Sequence, residues 1–202
     1  MAVFINLNAQ KNYQLIFNKA GDYLVFFYNL SGKFLFEIKS PNVTLDIYGL
    51  YIGKQNDQFT LKTTQHHQAP SSFSNILVKG VFYDYSKFQY EGLIRIEKNA
   101  QKTHAYQKNQ NLLLSPYGFV ESKPYLEILA NDVFCTHGST TGQLNQHQLF
   151  YLVARGLDKN KAKLLLIHGF VNEVFDRMRK SIDFNLFKKT FLEVEDSLNL
   201  KV

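Results

Sequence analysis

A chain of 202 residues with 45% hydrophobic content can bury one large core or two small ones, which excludes a disordered chain. Its formal charge of +6 arises from 23 Lys and Arg against 17 Asp and Glu, yet only Arg95, Arg155, Arg177 and Arg179 are arginines and no basic run is longer than a pair such as Lys188-Lys189, which argues against a nucleic-acid partner. The single cysteine, Cys135, precludes an internal disulfide, and neither a leader pattern nor an apolar run of about twenty residues is present, so a reducing, cytoplasmic setting with no membrane partner is expected.

From residue 3 onward the chain reads as short β-rich runs at 3–7, 13–17, 23–28, 34–38, 43–51, 59–63, 75–81, 92–96, 111–115 and 125–129. Clusters of Gly, Asn, Asp and Ser separate them, as in Lys19-Ala20-Gly21-Asp22. No helix-period segment interrupts the series, which excludes a doubly wound α/β fold. The dipeptides Asn-Gly and Asp-Gly, which advertise tight hairpins, do not occur. Runs such as Leu24-Val25-Phe26-Phe27-Tyr28 are continuously apolar and suit strands with little exposed face. A parallel solenoid accommodates both facts, but no repeat period is visible, and on pattern alone it stands level with a sandwich.

After Gly142 the hydrophobic period changes from 2 to 3.6. Asn145 with Gln148 three residues on has capping-box spacing, and Gly156 stands where a helix-ending glycine would, so a helix is expected over 146–155. Asp158 caps a second over 159–179, with Ala162, Leu165, Leu166, Phe170, Val174 and Met178 spaced by three and four. A third is expected over 184–194. The chain thus divides into a β region, 1–142, and a helical region, 143–202.

Cys135 and His137 lie two apart in the last strand-like stretch, so alternation sends both side chains to one face. A thiolate beside an imidazole can hold iron or zinc. Two ligands are too few for a complete protein site, so an inert packed cysteine beside a hydrogen-bonded histidine is favoured unless a second chain completes the set. His66-His67 stands in the polar stretch Thr63-Thr64-Gln65-His66-His67-Gln68 with no acidic or cysteine partner at ligand spacing and reads as an exposed loop. Phosphate-loop, nucleophile-elbow and zinc-protease signatures are absent. The carboxylates Asp46, Asp57, Asp84, Glu91 and Glu97 lack the repeat spacing of a sugar-cleaving solenoid, so no catalytic activity is expected.

Taken together, Leu126-Glu127-Ile128, the stretch Asp132-Val133-Phe134-Cys135-Thr136-His137-Gly138-Ser139-Thr140-Thr141-Gly142-Gln143-Leu144, Gln148-Leu149-Phe150-Tyr151-Leu152 and Arg155-Gly156 closely resemble the C-terminal signature of the SufB/SufD family of iron–sulfur cluster assembly scaffold proteins. Upstream, Asn75-Ile76-Leu77-Val78, Tyr90-Glu91-Gly92-Leu93-Ile94-Arg95-Ile96, Asn111-Leu112-Leu113-Leu114-Ser115 and Pro124-Tyr125 are similar to it too. SufB-like members carry a cysteine where this chain has Asn109 and a glutamate where it has Gly138, so the resemblance is to the SufD type.

That resemblance implies a mainly β fold, a right-handed parallel β-helix followed by a small C-terminal helical region. It also implies a non-catalytic subunit that pairs with a SufB-like paralogue and docks a SufC-like ABC ATPase. His137 would face the partner's cysteine where a nascent cluster forms, with Cys135 beside it. The cluster would be transient and shared, with no permanently bound cofactor. Leu165, Leu166, Phe170, Glu173 and Val174 are the expected ATPase-docking residues. Family members usually begin with a helical domain, whereas strand-like sequence follows Met1 here, so either loss of that domain or a shortened relative is expected. The alternative is a homomeric β-helix interaction module, a homodimer of the isolated chain, that has kept the fold without cluster assembly.

Overall fold

The computed structural model describes residues 2–198. Eleven strands alternate between two parallel sheets: β1 (Val3–Asn6), β2 (Gln14–Phe17), β3 (Gly21–Tyr28), β4 (Gly32–Ile38), β5 (Val43–Gly53), β6 (Gln58–His67), β7 (Phe73–Phe82), β8 (Lys87–Ile96), β9 (Thr103–Leu113), β10 (Phe119–Ile128) and β11 (Val133–Gly142). Odd strands form a six-stranded sheet in the order β1-β3-β5-β7-β9-β11, and even strands a five-stranded sheet, β10-β8-β6-β4-β2. Each sheet neighbour is therefore the strand one coil away, which makes the body a parallel β-solenoid and decides against the sandwich. Every predicted β run overlaps one of these strands, and the runs at 3–7, 13–17, 111–115 and 125–129 overrun a strand end by one or two residues.

The register shows why no period is legible. Val3 pairs with Tyr23 and Gly21 with Val43, coils of 20 and 22 residues, but Thr44 pairs with Phe73 and Phe73 with His104, coils of 29 and 31. The corners are built from residues in the left-handed region that are not glycine: Asn42, Ser71 and Lys102 before the odd strands, Asn29, Gln55 and Asp84 after them. Asn and Asp tolerate that conformation, while Gln55, Ser71 and Lys102 are held there by the stack. Ser71 takes the backbone N–H of Asn42 at 3.1 Å and gives its own to Gln101 at 2.9 Å, so one corner supports the next.

Alternation sorts the side chains. Val25 and Phe27 enter the lumen with Phe34, Phe36, Leu45, Ile47, Tyr51, Phe82, Phe88 and Tyr90. Leu24 and Phe26, their neighbours in sequence, point outward with Tyr48, Leu50, Leu77 and Val81 and are also fully buried or nearly so. The continuous apolar run is thus a strand with two covered faces.

The cover is helical. α1 (Gln146–Ala154) is capped by Asn145, whose side-chain oxygen accepts from the N–H groups of His147 and Gln148, and Gly156 (φ +93°) follows its end. α2 (Lys159–Met178) is capped by Asp158 in the same way. A short 3-10 turn, Phe184–Leu186, leads into α3 (Lys188–Leu198). Ile167, Val171, Val174, Phe175 and Met178 of α2, with Phe187, Val194 and Leu198, close over the outer face of the six-stranded sheet. Burial of each of these side chains contributes about 1.5–3 kcal/mol, so apolar packing is the main contribution that holds the helices down.

One sequence expectation is corrected here. His66-His67 is not an exposed loop: both residues lie in β6. His67 points into the lumen, fully buried, with Nδ1 2.8 Å from Ser72 Oγ and Nε2 2.7 Å from Ser74 Oγ. His66 points outward, donating from Nε2 to Glu97 Oε1 at 2.9 Å and accepting Gln68 Nε2 at Nδ1 at 3.0 Å. Its acidic partner lies 31 residues along the chain, one coil away, where a search at short ligand spacing does not look.

Candidate functional site

β9 and β11 run in register with Cys135 opposite Ala105, His137 opposite Gln107, Ser139 opposite Asn109 and Thr141 opposite Asn111. Ala105, Gln107, Asn109 and Asn111 are buried and belong to the lumenal face. Cys135 packs with Val133 on the lumenal cluster of Ile94, Ile96, Ala100, Ala105 and Ala130. Thr141 Oγ1 lies 3.3 Å from the Asn111 amide nitrogen. With Cys135 and Thr141 both lumenal, His137 between them shares that face. Structure and alternation agree that the two candidate ligands face the same way.

They do so at an open end. β11 and β10 are the last strands of their sheets, and among the described residues nothing pairs their far edges. Beneath His137, Ser139 and Thr141 the lumen changes from the aromatic filling of earlier coils to amides. Asn109 Nδ2 donates to Val78 O at 3.2 Å, Asn111 Nδ2 to Asn109 Oδ1 at 2.7 Å, and Gln107 Nε2 to Gly92 O at 3.3 Å. Gln107 Oε1 and, on the facing strand β10, Ser122 Oγ are buried without a hydrogen-bond partner. Exposed apolar residues rim the same end: Tyr125, Leu126, Ile128, Leu129 and Phe134, the last with its ring centroid 5.0 Å from that of His104 and tilted by 36°.

Cys135 is half-buried, and that burial pushes its thiol pKa up, against a backbone hydrogen bond at Ala105 that lowers it. It is consequently a thiol, not a thiolate, at neutral pH until a cation or a covering partner changes its surroundings. No group of three or more His, Cys, Asp or Glu side chains suited to a metal occurs among the described residues. Cys135 and His137 supply a soft and a borderline ligand, half of what an iron site takes.

The five expected docking residues of α2 divide between two surfaces. Val174 is wholly buried against the sheet. Phe170 packs on the same cluster, with Lys79 Nζ 4.1 Å from its ring centroid, and Glu173 accepts from Lys79 and, at 2.9 Å, from Arg177. These three fasten α2 to the solenoid. Leu165, 52% exposed, and Leu166 instead line a groove of about 440 Å³ with Asn145, His147, Gln148, Tyr151 and Leu152 of the α1 side. Tyr151 and, at 74%, Phe150 are also exposed on α1. Lys79, Gln107 and Ser122 are not singled out by the sequence, and Tyr151 only within the signature stretch, although a lone lysine inside Ile76-Leu77-Val78-Lys79-Gly80-Val81 is a visible irregularity in a buried strand.

Residues 30–170 match the model of the SUF system FeS cluster assembly SufBD core domain. The chain belongs to this family. Within the SufBD family it is of the SufD type: it is 33% identical over 143 residues to the iron-sulfur cluster assembly protein SufD of Escherichia coli, covering 71% of this chain and 34% of the relative. It is 32% identical over 126 residues to the SufD of Bacillus subtilis, covering 62% and 28%, and 38% identical over 109 residues to a SufBD family protein of Synechocystis, covering 54% and 24%. The matched segment thus spans about a third or less of the length of these curated SufBD relatives. Among the described residues no helix is long and apolar enough to cross a membrane.

Proposed function

We propose that this chain is a non-catalytic scaffold subunit of iron–sulfur cluster assembly. It pairs with a SufB-like subunit at the open end formed by β10 and β11 and carries a SufC-like ATPase on its helices. The observation that carries the reading is the placement of His137 and Cys135 together on the lumenal face of the terminal strand, with an unpaired edge beside them. An incomplete soft-ligand pair at an exposed parallel edge is what a cluster site completed by a second solenoid requires. Exposed Tyr125, Leu126, Ile128 and Phe134 supply apolar area for such a contact. The cluster is cargo: the partner's ligands join His137, and ATP-driven movement of the bound ATPase, transmitted through the helices, opens and closes the shared end.

The same edge supports the alternative of self-association, since a second copy offers the same donors and acceptors. Anaerobic co-purification from the native cell separates the two. Recovery with SufB-like and SufC-like chains supports the scaffold, and recovery of this chain alone as a dimer supports the homomeric module. In the complex, His137→Ala is expected to lower iron and sulfide loading while leaving subunit assembly intact. Unchanged loading removes His137 from the site.

A further inference from the structure

We infer that Gln107 is a positioning residue for His137: its side-chain oxygen, unpartnered in the structure, is the acceptor to which the His137 ring N–H of the next coil turns, and so fixes which ring nitrogen stays free for iron. This rests on the reading of His137 as a cluster-facing residue. Gln107 and His137 are register partners on adjacent parallel strands, one coil apart and on the lumenal face. Parallel neighbours stand about 4.8 Å apart, a separation that an amide and an imidazole on facing positions can bridge.

The orientation of the amide is set from behind. Gln107 Nε2 donates to Gly92 O at 3.3 Å, which leaves Oε1 as the free end. Only a glycine at position 92 admits this arrangement, because a Cβ there would lie 2.2 Å from Gln107 Nε2. Gln107 is 3% exposed and Oε1 has no partner. A buried carbonyl oxygen left unmade costs about 1–3 kcal/mol, so a donor is required at that spot. The donor nearest in register is His137, the residue whose ring must present one unprotonated nitrogen to a metal. Asn109 and Asn111, the other lumenal amides of β9, satisfy each other at 2.7 Å and leave His137 to Gln107.

The test uses the full chain labelled with 15N-histidine, in which long-range proton–nitrogen spectra report the tautomer of each ring at a pH where the rings are neutral. His137 is expected to favour one tautomer. Gln107→Met, which keeps the volume and removes the acceptor, should shift the tautomer ratio by about 2- to 10-fold, the worth of one net hydrogen bond. Gly92→Ala should shift it in the same direction by displacing the amide, while circular dichroism confirms that both variants are folded. A ratio unchanged in both variants overturns the inference whatever their cluster loading. A shifted ratio together with full loading in His137→Ala would instead leave the positioning intact and remove the cluster-facing role on which it builds.

Discussion

Lys79 Nζ, rising from the middle of the outer face of the six-stranded sheet, donates both to the Glu173 carboxylate and to the Phe170 carbonyl at 2.9 Å, tying strand β7 to helix α2. Burial pulls the ammonium pKa down, against the raising effect of Glu173. Glu173 is itself pushed up by burial, but the hydrogen bond from Lys79 and the charge of Arg177 outweigh this and leave its pKa low. The tendencies oppose one another, and the geometry decides: two acceptors on one ammonium hold it charged at neutral pH.

Glu173→Gln therefore leaves a lysine that is 2% exposed without its counter-charge. Removing one partner of a buried pair costs about 3–5 kcal/mol, and because Glu173 is partly open to solvent the expected loss is smaller, about 1–3 kcal/mol. Lys79→Met, which retains the stem and discards the charge, should cost less than Glu173→Gln. Urea unfolding midpoints of the two variants check the order, and hydrogen exchange of α2 locates the loss.

His67 gives the stability a pH dependence. Burial is the main cause that depresses its pKa from 6.5 to about 3, with the neighbouring His66 adding to it. The unfolded chain binds the proton below about pH 6.5 and the folded chain does not until about 3. Stability is thus complete above 6.5 and falls as pH drops through that window, at up to about 1.4 kcal/mol per unit. His67→Gln, which keeps a polar group between Ser72 and Ser74, should flatten the slope of unfolding free energy between pH 6.5 and 4. An equally steep slope in that variant would assign the acid lability to another group.

Strand positions and helix caps were legible because each is decided by neighbours in sequence: Asn145 and Asp158 cap where they were read to cap. What spacing could not show is anything decided one coil away. Glu97 as the partner of His66, Glu173 as the partner of Lys79, and Gln107 beneath His137 are separated by 31, 94 and 30 residues. Coils lengthening from 20 to 31 residues, with Asn, Ser, Gln and Lys at corners where glycine is expected, removed the period that would have aligned them. The polarity of Thr63–His67 misled for a related reason, since a lumen lined by serines can bury a histidine that an apolar core could not.

Gly49 is required by its register partner. It lies opposite Phe27 in the lumen, and a Cβ on it would stand 2.4 Å from the Phe27 ring. The ring is fully buried and edge-on to Phe34 at 4.9 Å, so it has little room to withdraw. Gly49→Ala should cost about 1–3 kcal/mol by overpacking. Phe27→Leu should cost a comparable amount on its own, but the double variant should be more stable than the sum of the two predicts, by about 0.5 kcal/mol or more. Additive losses would mean that the two positions do not press on each other.

The split of α2 between two surfaces makes the ATPase-docking proposal separable from stability. Leu165 is half-exposed in the groove shared with Tyr151 and Leu152, whereas Val174 is sealed in the apolar cluster between α2 and the outer face of the six-stranded sheet. Leu165→Asp and Tyr151→Ala should each weaken binding of a SufC-like ATPase roughly tenfold or more, about 1.4 kcal/mol, with the unfolding midpoint of the free chain hardly moved. Val174→Ala opens a cavity under the helix and should lower that midpoint first, so any loss of ATPase binding there should follow the loss of stability and be restored at lower temperature. Isothermal titration at two temperatures, beside urea melts of the same samples, distinguishes the cases. Full affinity in Leu165→Asp and Tyr151→Ala together would move the docking surface off the α1–α2 groove.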